Sequence, residues 1–367
     1  MNGEIKKPSL FSRVGGWIKR HQTRTYLIIG GFLIAATSAG AYVYSAMNPA
    51  AAPKVPHTVA AKPKPKPAPV YYSPLTGEKV ADEAATLMPV TAIMIENSPD
   101  ARPQSGIKQA GVAFEAIAEG GITRFLTLHQ QDKPQMIGPV RSLRMYYVDW
   151  LAPFNASVAH VGGSAAALAE IRNGQYRDID QFFNGSFYWR ATDRYAPHNV
   201  YTTFAKLDAL NAKKGYTQSH FTGFSRTNEA PLAHPTATQI TINFNNYASL
   251  YNTSYVYDAT HNWYNRYLAG VPHVDREEGQ LTPKVVIAMK VDESTVLEDG
   301  YRESINAIGS GNATIFQNGG VQEVTWHKPS RAAQITFTDA SGKDVPLVRG
   351  QTWIAAVPNG KGSVSWQ

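Results

Sequence analysis

Between Asn97 and Tyr201 the chain crowds arginine, glycine and carboxylate into short turn-like strings: NSPDARPQSG, EAIAEGGITRF, GPVRSLR, HVGGS and WRATDRYAPHN. Guanidinium groups grip carboxylate or phosphate through paired hydrogen bonds. Arg102, Arg124, Arg141, Arg144, Arg190 and Arg194 therefore read as a ligand-holding set for an anion. Gly162, Gly163 and Ser164 add a strand–turn–helix junction. The glycines let the backbone turn tightly, Ser164 is a good N-cap, and amides at a helix start favour negative charge. His198 and Asn199 follow Pro197 in a loop. A loop histidine titrates near neutral pH and serves as a general acid or base, while Asn199 can hydrogen-bond a ligand. Glu115 and Glu119, expected on one face of a strand, are the carboxylates to work with it.

The same residues have an internal reading. Each arginine then pairs with Asp100, Glu115, Glu119, Asp149 or Asp193, and His198 is only a hydrogen-bond partner. In the second half, WYNRYLAGVPHVD carries Arg266, His273 and Asp275. These either face the first site across a cleft or form a polar network inside a β region. Trp326 and Trp353 are expected to pack the core.

Other chemistries lose ground. The chain has no cysteine, which removes disulfides, thiolate metal sites, a cysteine nucleophile and a lipidated cysteine. Ser105, Ser142 and Ser164 are available as hydroxyls, but none sits in GxSxG, and none is expected to act as an SxxK serine. GxGxxG and Walker strings are absent, and His129, His160 and His198 lack a ligand spacing such as HExxH. No metal and no cofactor are expected. Net charge is +7, but residues 1–70 hold ten Lys/Arg and one acid, against 25 bases and 27 acids beyond. The basic excess belongs to the tail and gives no ground for nucleic-acid binding.

The elements that must position these residues begin with a delivery segment. Tyr26–Met47 carries no charge and follows Lys19, Arg20 and Arg24. That length suits a bilayer crossing, and the basic flank keeps the N-terminus cytoplasmic. The expectation is a cytoplasmic tail over 1–25 and a single-pass anchor over 26–47. The competing reading is a signal peptide cleaved near Ala36, Ser38 and Gly40. Residues 48–71 form a Pro/Lys-rich spacer, extended as polyproline II. An α+β domain over 72–220 follows, with a layered mixed sheet and helices. A connection over 221–237 leads to a mostly β domain over 238–367.

Within 72–220, strands are expected at Met88–Glu96, Gly111–Glu119, Thr123–His129 and Ala156–Val161. The middle two alternate and flank Gly120-Gly121, as a hairpin requires. Helices are expected at Arg144–Leu151, Ala165–Arg172 and Phe204–Lys214. Strand-like runs fill the second half from Gln239 to Val357.

Several of these strings resemble the YerB-like lipoprotein family of bacteria, whose domains are classed as of unknown function. They are ARPQSG (101–106), FEAIAEGGITRF (114–125), IGPVRS (137–142), HVGGS (160–164) and RYAPHNVYT (194–202). SPLTGEKV (73–80), YNRYLAGVPHVD (264–275) and GSGNATIFQNGGVQEVTWHK (309–328) extend the resemblance to roughly residues 72–360. It implies two α+β domains displayed outside the membrane, and it transfers no catalytic residue. The chain departs from the family in lacking a lipobox cysteine, with the apolar segment in its place. Three functions follow as expectations. The first is a module binding an anionic cell-wall polymer, peptidoglycan fragment or peptide carboxylate. The second is an envelope hydrolase or transferase using His198 with Glu115 or Glu119. The third is a scaffold for an envelope protein.

Overall fold

The computed structural model describes residues 10–48, 68–245, 248–295 and 302–367. Most of the expected spacer lies outside the described residues. The chain divides into two compact units, Met1–Pro67 and Ala68–Gln367.

The first unit contains α1 (Leu10–Arg20) and α2 (Gln22–Met47). At about 1.5 Å per residue, the 26 residues of α2 outspan a hydrocarbon core of about 30 Å. Helix α2 is long and apolar enough to cross a membrane, and none of it is buried by the protein.

The second unit is α+β. Its first half supplies β1 (Thr91–Glu96), β2 (Val112–Glu119), β3 (Ile122–His129), β4 (Ser157–Ala159) and β5 (Arg177–Asp178). The helices there are α3 (Met145–Leu151), α4 (Ala165–Ile171) and α5 (Phe204–Lys213). The second half begins with β6 (Gln239–Asn243), β7 (Thr253–Asp258), β8 (Trp263–Leu268) and β9 (Val271–Pro272). It continues with β10 (Val285–Val291), β11 (Gly309–Gln317), β12 (Gly320–Lys328) and β13 (Thr336–Thr338), then β14 (Thr352–Pro358) and β15 (Ser363–Trp366).

Both halves build one ten-stranded sheet, ordered β13-β12-β11-β10-β14-β2-β3-β1-β4-β5. The seam is the parallel pair of β14 with β2, where Thr352 faces Val112 and Ala355 faces Glu115. The connection over 221–237 thus divides the chain but not the sheet. A smaller sheet, β9-β8-β7-β6-β15, comes from the second half alone.

The central strands are apolar on both faces because both are covered. Val112, Phe114 and Ala116 join the core under α3, with Phe114 stacked on Trp150 at 5.3 Å and 9°. Ala113, Ile117 and Phe125 join the opposite core with Phe204 and Leu207 of α5 and Tyr255 and Tyr264 of the smaller sheet. Trp326 and Trp353 are both buried.

The opening segment of this unit is locked by the connection. A Cβ on Gly223 would lie 1.7 Å from the Pro74 carbonyl oxygen, so only glycine fits. Gly223→Ala is expected to cost about 1–3 kcal/mol through overpacking. Thermal melting should report it, and an unchanged melting temperature would show that the two segments separate freely.

Candidate functional site

At the seam of the large sheet, Glu115 of β2 is completely buried against Arg266 of β8, with Nη2 and Oε2 2.8 Å apart. Burying both charges is tolerable only if their remaining hydrogen-bonding capacity is met. A closed ring of donors meets it. Arg266 Nε donates to His273 Nδ1 at 2.9 Å, and His273 Nε2 reaches Gln104 Oε1 at 3.2 Å. Gln104 Nε2 donates to Asn97 Oδ1 at 3.0 Å, Asn97 Nδ2 to Thr123 Oγ1 at 2.7 Å, and Thr123 Oγ1 to Glu115 Oε1 at 3.1 Å. Trp353 Nε1 supplies a further donor to Glu115 at 3.0 Å. The guanidinium also bonds the Tyr255 hydroxyl and lies 4.2 Å from the Trp353 ring centre. Burial, then the charges of Arg266 and Arg102, push the His273 pKa well below its ordinary value. His273 is therefore neutral, with its proton on Nε2, as the bond from Arg266 to Nδ1 requires. Arg266 and His273 thus belong to an internal network, one that reaches back into the first half of the chain.

Asp275 completes this seam. Its Oδ2 accepts from the Ile107 and Lys108 amides at 2.7 and 3.2 Å, and its Oδ1 from the Glu277 and Glu278 amides at 3.1 and 3.2 Å. All four bonds fix loops.

A second cluster stands nearer the surface at the end of β1. Glu96 Oε1 takes the Ser98 hydroxyl at 3.1 Å and His198 Nδ1 at 2.9 Å, and forms an ion pair with Arg141 Nε at 3.1 Å. Glu96 Oε2 is buried with no hydrogen-bond partner among the described residues. The carboxylate that holds His198 is thus Glu96, not Glu115 or Glu119. Ser98 Oγ also lies 3.1 Å from His198 Nδ1. In a serine–histidine–acid relay the acid and the serine use opposite ring nitrogens. Here both crowd Nδ1, while Nε2 faces Asp100 Oδ2 at 3.9 Å. The side chains of His198 and Arg141 are each 22% exposed. Arg141 Nε makes no hydrogen bond at that distance, and its terminal nitrogens have no acceptor among the described residues.

The other arginines do not converge on this point. Arg102 binds the Asn97 and Leu250 carbonyls at 2.8 and 2.9 Å and lies over the Tyr251 ring. Arg194 binds the Asp100 and Pro103 carbonyls at 3.2 and 2.6 Å. Exposed Arg190 holds Asn199 Oδ1 at 2.7 Å, and Asn199 Nδ2 donates to the Ala191 and Arg194 carbonyls at 3.0 and 3.2 Å. Arg124 and Arg144 both bind Glu119. Burial opposes ionisation of Glu119, but these arginines outweigh it and hold its carboxyl below the usual range.

Glu119 does not share a face with Glu115, contrary to the alternation in the sequence. A bulge between Ile117 and Glu119 shifts the register, so Glu119 pairs with Ile122 while Ala116 pairs with Arg124. One extra residue turns Glu119 to the opposite side of the sheet.

The HVGGS turn also differs from the anion-binding expectation. Gly162 N donates to Asp180 Oδ1 at 3.2 Å and Ser164 N to the Leu143 carbonyl at 3.1 Å. Ser164 Oγ accepts from Ala167 N at 3.4 Å as an N-cap. Gly163 packs so closely that a Cβ would lie 3.0 Å from the Leu143 oxygen. The amides of Gly162 and Ser164 therefore serve the fold. Ser105 and Lys108 stand in SxxK spacing, in which a lysine can activate a serine. Ser105 instead donates to Glu277 Oε1 at 3.0 Å, and Lys108 Nζ donates to the Glu278 carbonyl at 2.6 Å.

Sequence reasoning missed Glu96, Asn97, Gln104 and Thr123 as partners. Glu96 carried a signal, being the single charge closing the apolar run MPVTAIMIE.

Known families match these same segments. "Protein of unknown function (DUF3048)" matches as an N-terminal domain over residues 75–217 and as a C-terminal domain over 240–354. The chain belongs to the DUF3048 family. YerB of Bacillus subtilis (strain 168), whose name classes it provisionally as a lipoprotein, is 33% identical over 292 residues. That alignment covers 78% of this chain and 86% of YerB. The crystal structure of YerB matches with a TM-score of 0.72 at 31% identity, covering 80% of this chain and 99% of that one. The resemblance carried by ARPQSG, HVGGS and their companions is therefore a shared family and a shared α+β fold. An apolar helix in this DUF3048 chain and a lipoprotein name in its relative both point to membrane association.

Proposed function

We propose that this DUF3048 chain is a single-pass membrane protein that displays residues 68–367 outside the cytoplasm. There it binds an anionic cell-envelope ligand through Arg141 and His198. The observation that supports this reading is the state of Arg141. Its Nε is held 3.1 Å from buried Glu96, and its terminal nitrogens keep their donors for an incoming group. Arg102, Arg124, Arg144 and Arg194 instead use theirs on backbone carbonyls or Glu119. A guanidinium placed beside a buried carboxylate, with its own donors uncommitted, can take a phosphate or carboxylate. Lys19, Arg20 and Arg24 before α2 favour a cytoplasmic N-terminus. The hydrolase reading with His198 and Glu115 or Glu119 is not favoured, because neither glutamate meets His198.

The test uses the full chain in nanodiscs and a poly(glycerol phosphate) probe. Arg141→Ala is expected to weaken binding about 10- to 100-fold, the loss of a charged hydrogen bond of about 1.5–3 kcal/mol. Its melting temperature should stay near that of the wild type. Equal binding by both proteins would remove Arg141 from the site. Retained binding to an envelope protein but to no polyanion would favour the scaffold reading.

A further inference from the structure

A cleft of about 690 Å³ opens between the loop at Gly106–Gln109, the segment at Lys133–Met136 and the hairpin that carries Glu277 and Glu278. Its size lies within the range of about 300–1,000 Å³ usual for small-ligand sites. It shares no lining residue with the Glu96–Arg141 cluster and rests on none of the argument made for it. Half-buried Trp189 lines one wall, backed by the Tyr201 ring at 6.3 Å and 28°. Met136 adds an apolar, polarisable surface beside it.

The polar groups around this surface are unbalanced. Lys133, the cation of the lining, is already held by both Asp208 oxygens at 2.9 and 2.8 Å. Buried Asp275 is fully engaged by the four amides described above. Among the charged and buried polar groups of the lining, the capacity that remains consists of acceptors. Gln109 Oε1 is buried with no donor among the described residues. Glu277 Oε1 receives Ser105 and forms a long ion pair with Arg276 Nε at 4.0 Å, Arg276 being held more closely by Asp193 at 2.9 Å, while no donor among the described residues meets Glu277 Oε2 or the Glu278 carboxylate. Burial, with the neighbouring Asp275 charge, outweighs Ser105 and Arg276 and raises the Glu277 carboxyl above its ordinary value. These groups suit an occupant that brings hydrogen-bond donors, positive charge and an apolar body.

We propose that this cleft binds a ligand bearing a primary ammonium group, with the ammonium at Glu277 and Glu278 and its carbon stem or ring against Trp189. A cation close to an indole face adds attraction to the ion pair. Two sources share this chemistry, a lysine-type side chain and an amino sugar.

The test is isothermal titration of the full chain in nanodiscs with two matched pairs. One pair is Nα-acetyl-lysine methylamide and its Nε-acetylated form. The other is glucosamine and N-acetylglucosamine. Binding by either free amine, with at least tenfold weaker binding of its acetylated partner, is the expected result, and the pair that responds identifies the source. Glu277→Gln should weaken the amine at least tenfold while keeping an acceptor for Ser105. Trp189→Phe should weaken it less, and Arg141→Ala should leave it unchanged. Equal affinity for free and acetylated forms, no binding of either amine, or full affinity in Glu277→Gln overturns the proposal. Loss of amine binding in Arg141→Ala would also overturn it, by tying the cleft to the other cluster.

Discussion

Glu115→Ala loses about 3–5 kcal/mol of folding stability, the cost of leaving a buried charge without its partner. Arg266 has no solvent to turn to, since both side chains are 0% exposed. Trp353 Nε1 and Thr123 Oγ1 lose an acceptor in the same step. Urea unfolding at neutral pH should show the transition midpoint falling at constant slope, as a change in stability alone requires. Glu115→Leu combined with Arg266→Met should recover part of the loss, because removing both charges also removes their desolvation cost. Recovery will be incomplete, since His273 and Trp353 keep donors or acceptors the pair once met. A single-mutant loss below about 1 kcal/mol would place the pair in the range of solvated ion pairs and sink the buried-ring reading. The same unfolding curves bear on domain organisation. Glu115 sits where β2 pairs with β14, so 72–220 and 238–367 should melt in one cooperative transition. Two separated transitions would restore independent domains.

Local structure was legible where one segment carries its own pattern. Alternation around Gly120-Gly121 foretold the β2–β3 hairpin, and Ser164 before AAALAEI foretold the start of α4. What escaped was set by partners far away in sequence. The pairing of β14 with β2 joins residues some 240 positions apart, and no local periodicity encodes it. The bulge beside Glu119 inserts one residue and reverses a face, yet it leaves the apolar pattern almost intact. The arginines were readable as polar anchors but not as anchors to particular groups, because backbone carbonyls leave no trace in sequence. Two acids expected to pair nearby go to arginines of the second half. Asp193 meets Arg276 at 2.9 Å and Asp149 meets Arg331 at 2.6 Å. Charge complementarity specified that pairs would form, while topology specified which.

Folding stability will fall as pH drops below about 6.5, driven by two histidines that the fold keeps neutral. His129 is fully buried, and burial lowers its pKa to about 3, only partly offset by backbone groups at Asp132 and Gln109. His273 is lowered by burial and by Arg266 and Arg102. In the unfolded chain both return to about 6.5. Between about 6.5 and the lowered folded values, the unfolded state therefore binds more protons, and stability rises with pH. Each histidine contributes a slope approaching about 1.4 kcal/mol per pH unit once well below 6.5. Above that pH their contribution is flat. Glu119 and Asp178, whose pKa values are also lowered by folding, add losses of the same sign only at more acidic pH. Glu293, raised to about 7 mainly by burial, contributes with the opposite sign between about 4.5 and 7 and offsets part of the histidine slope in urea midpoints between pH 7 and 5. The decisive quantity is therefore a difference between proteins. His129→Gln removes one titrating group whatever it does to absolute stability. Its stability should change less steeply with pH than the wild type, by about one proton's worth of slope near pH 5. Identical slopes would mean that His129 protonates inside the fold, and that water or a partner reaches it there.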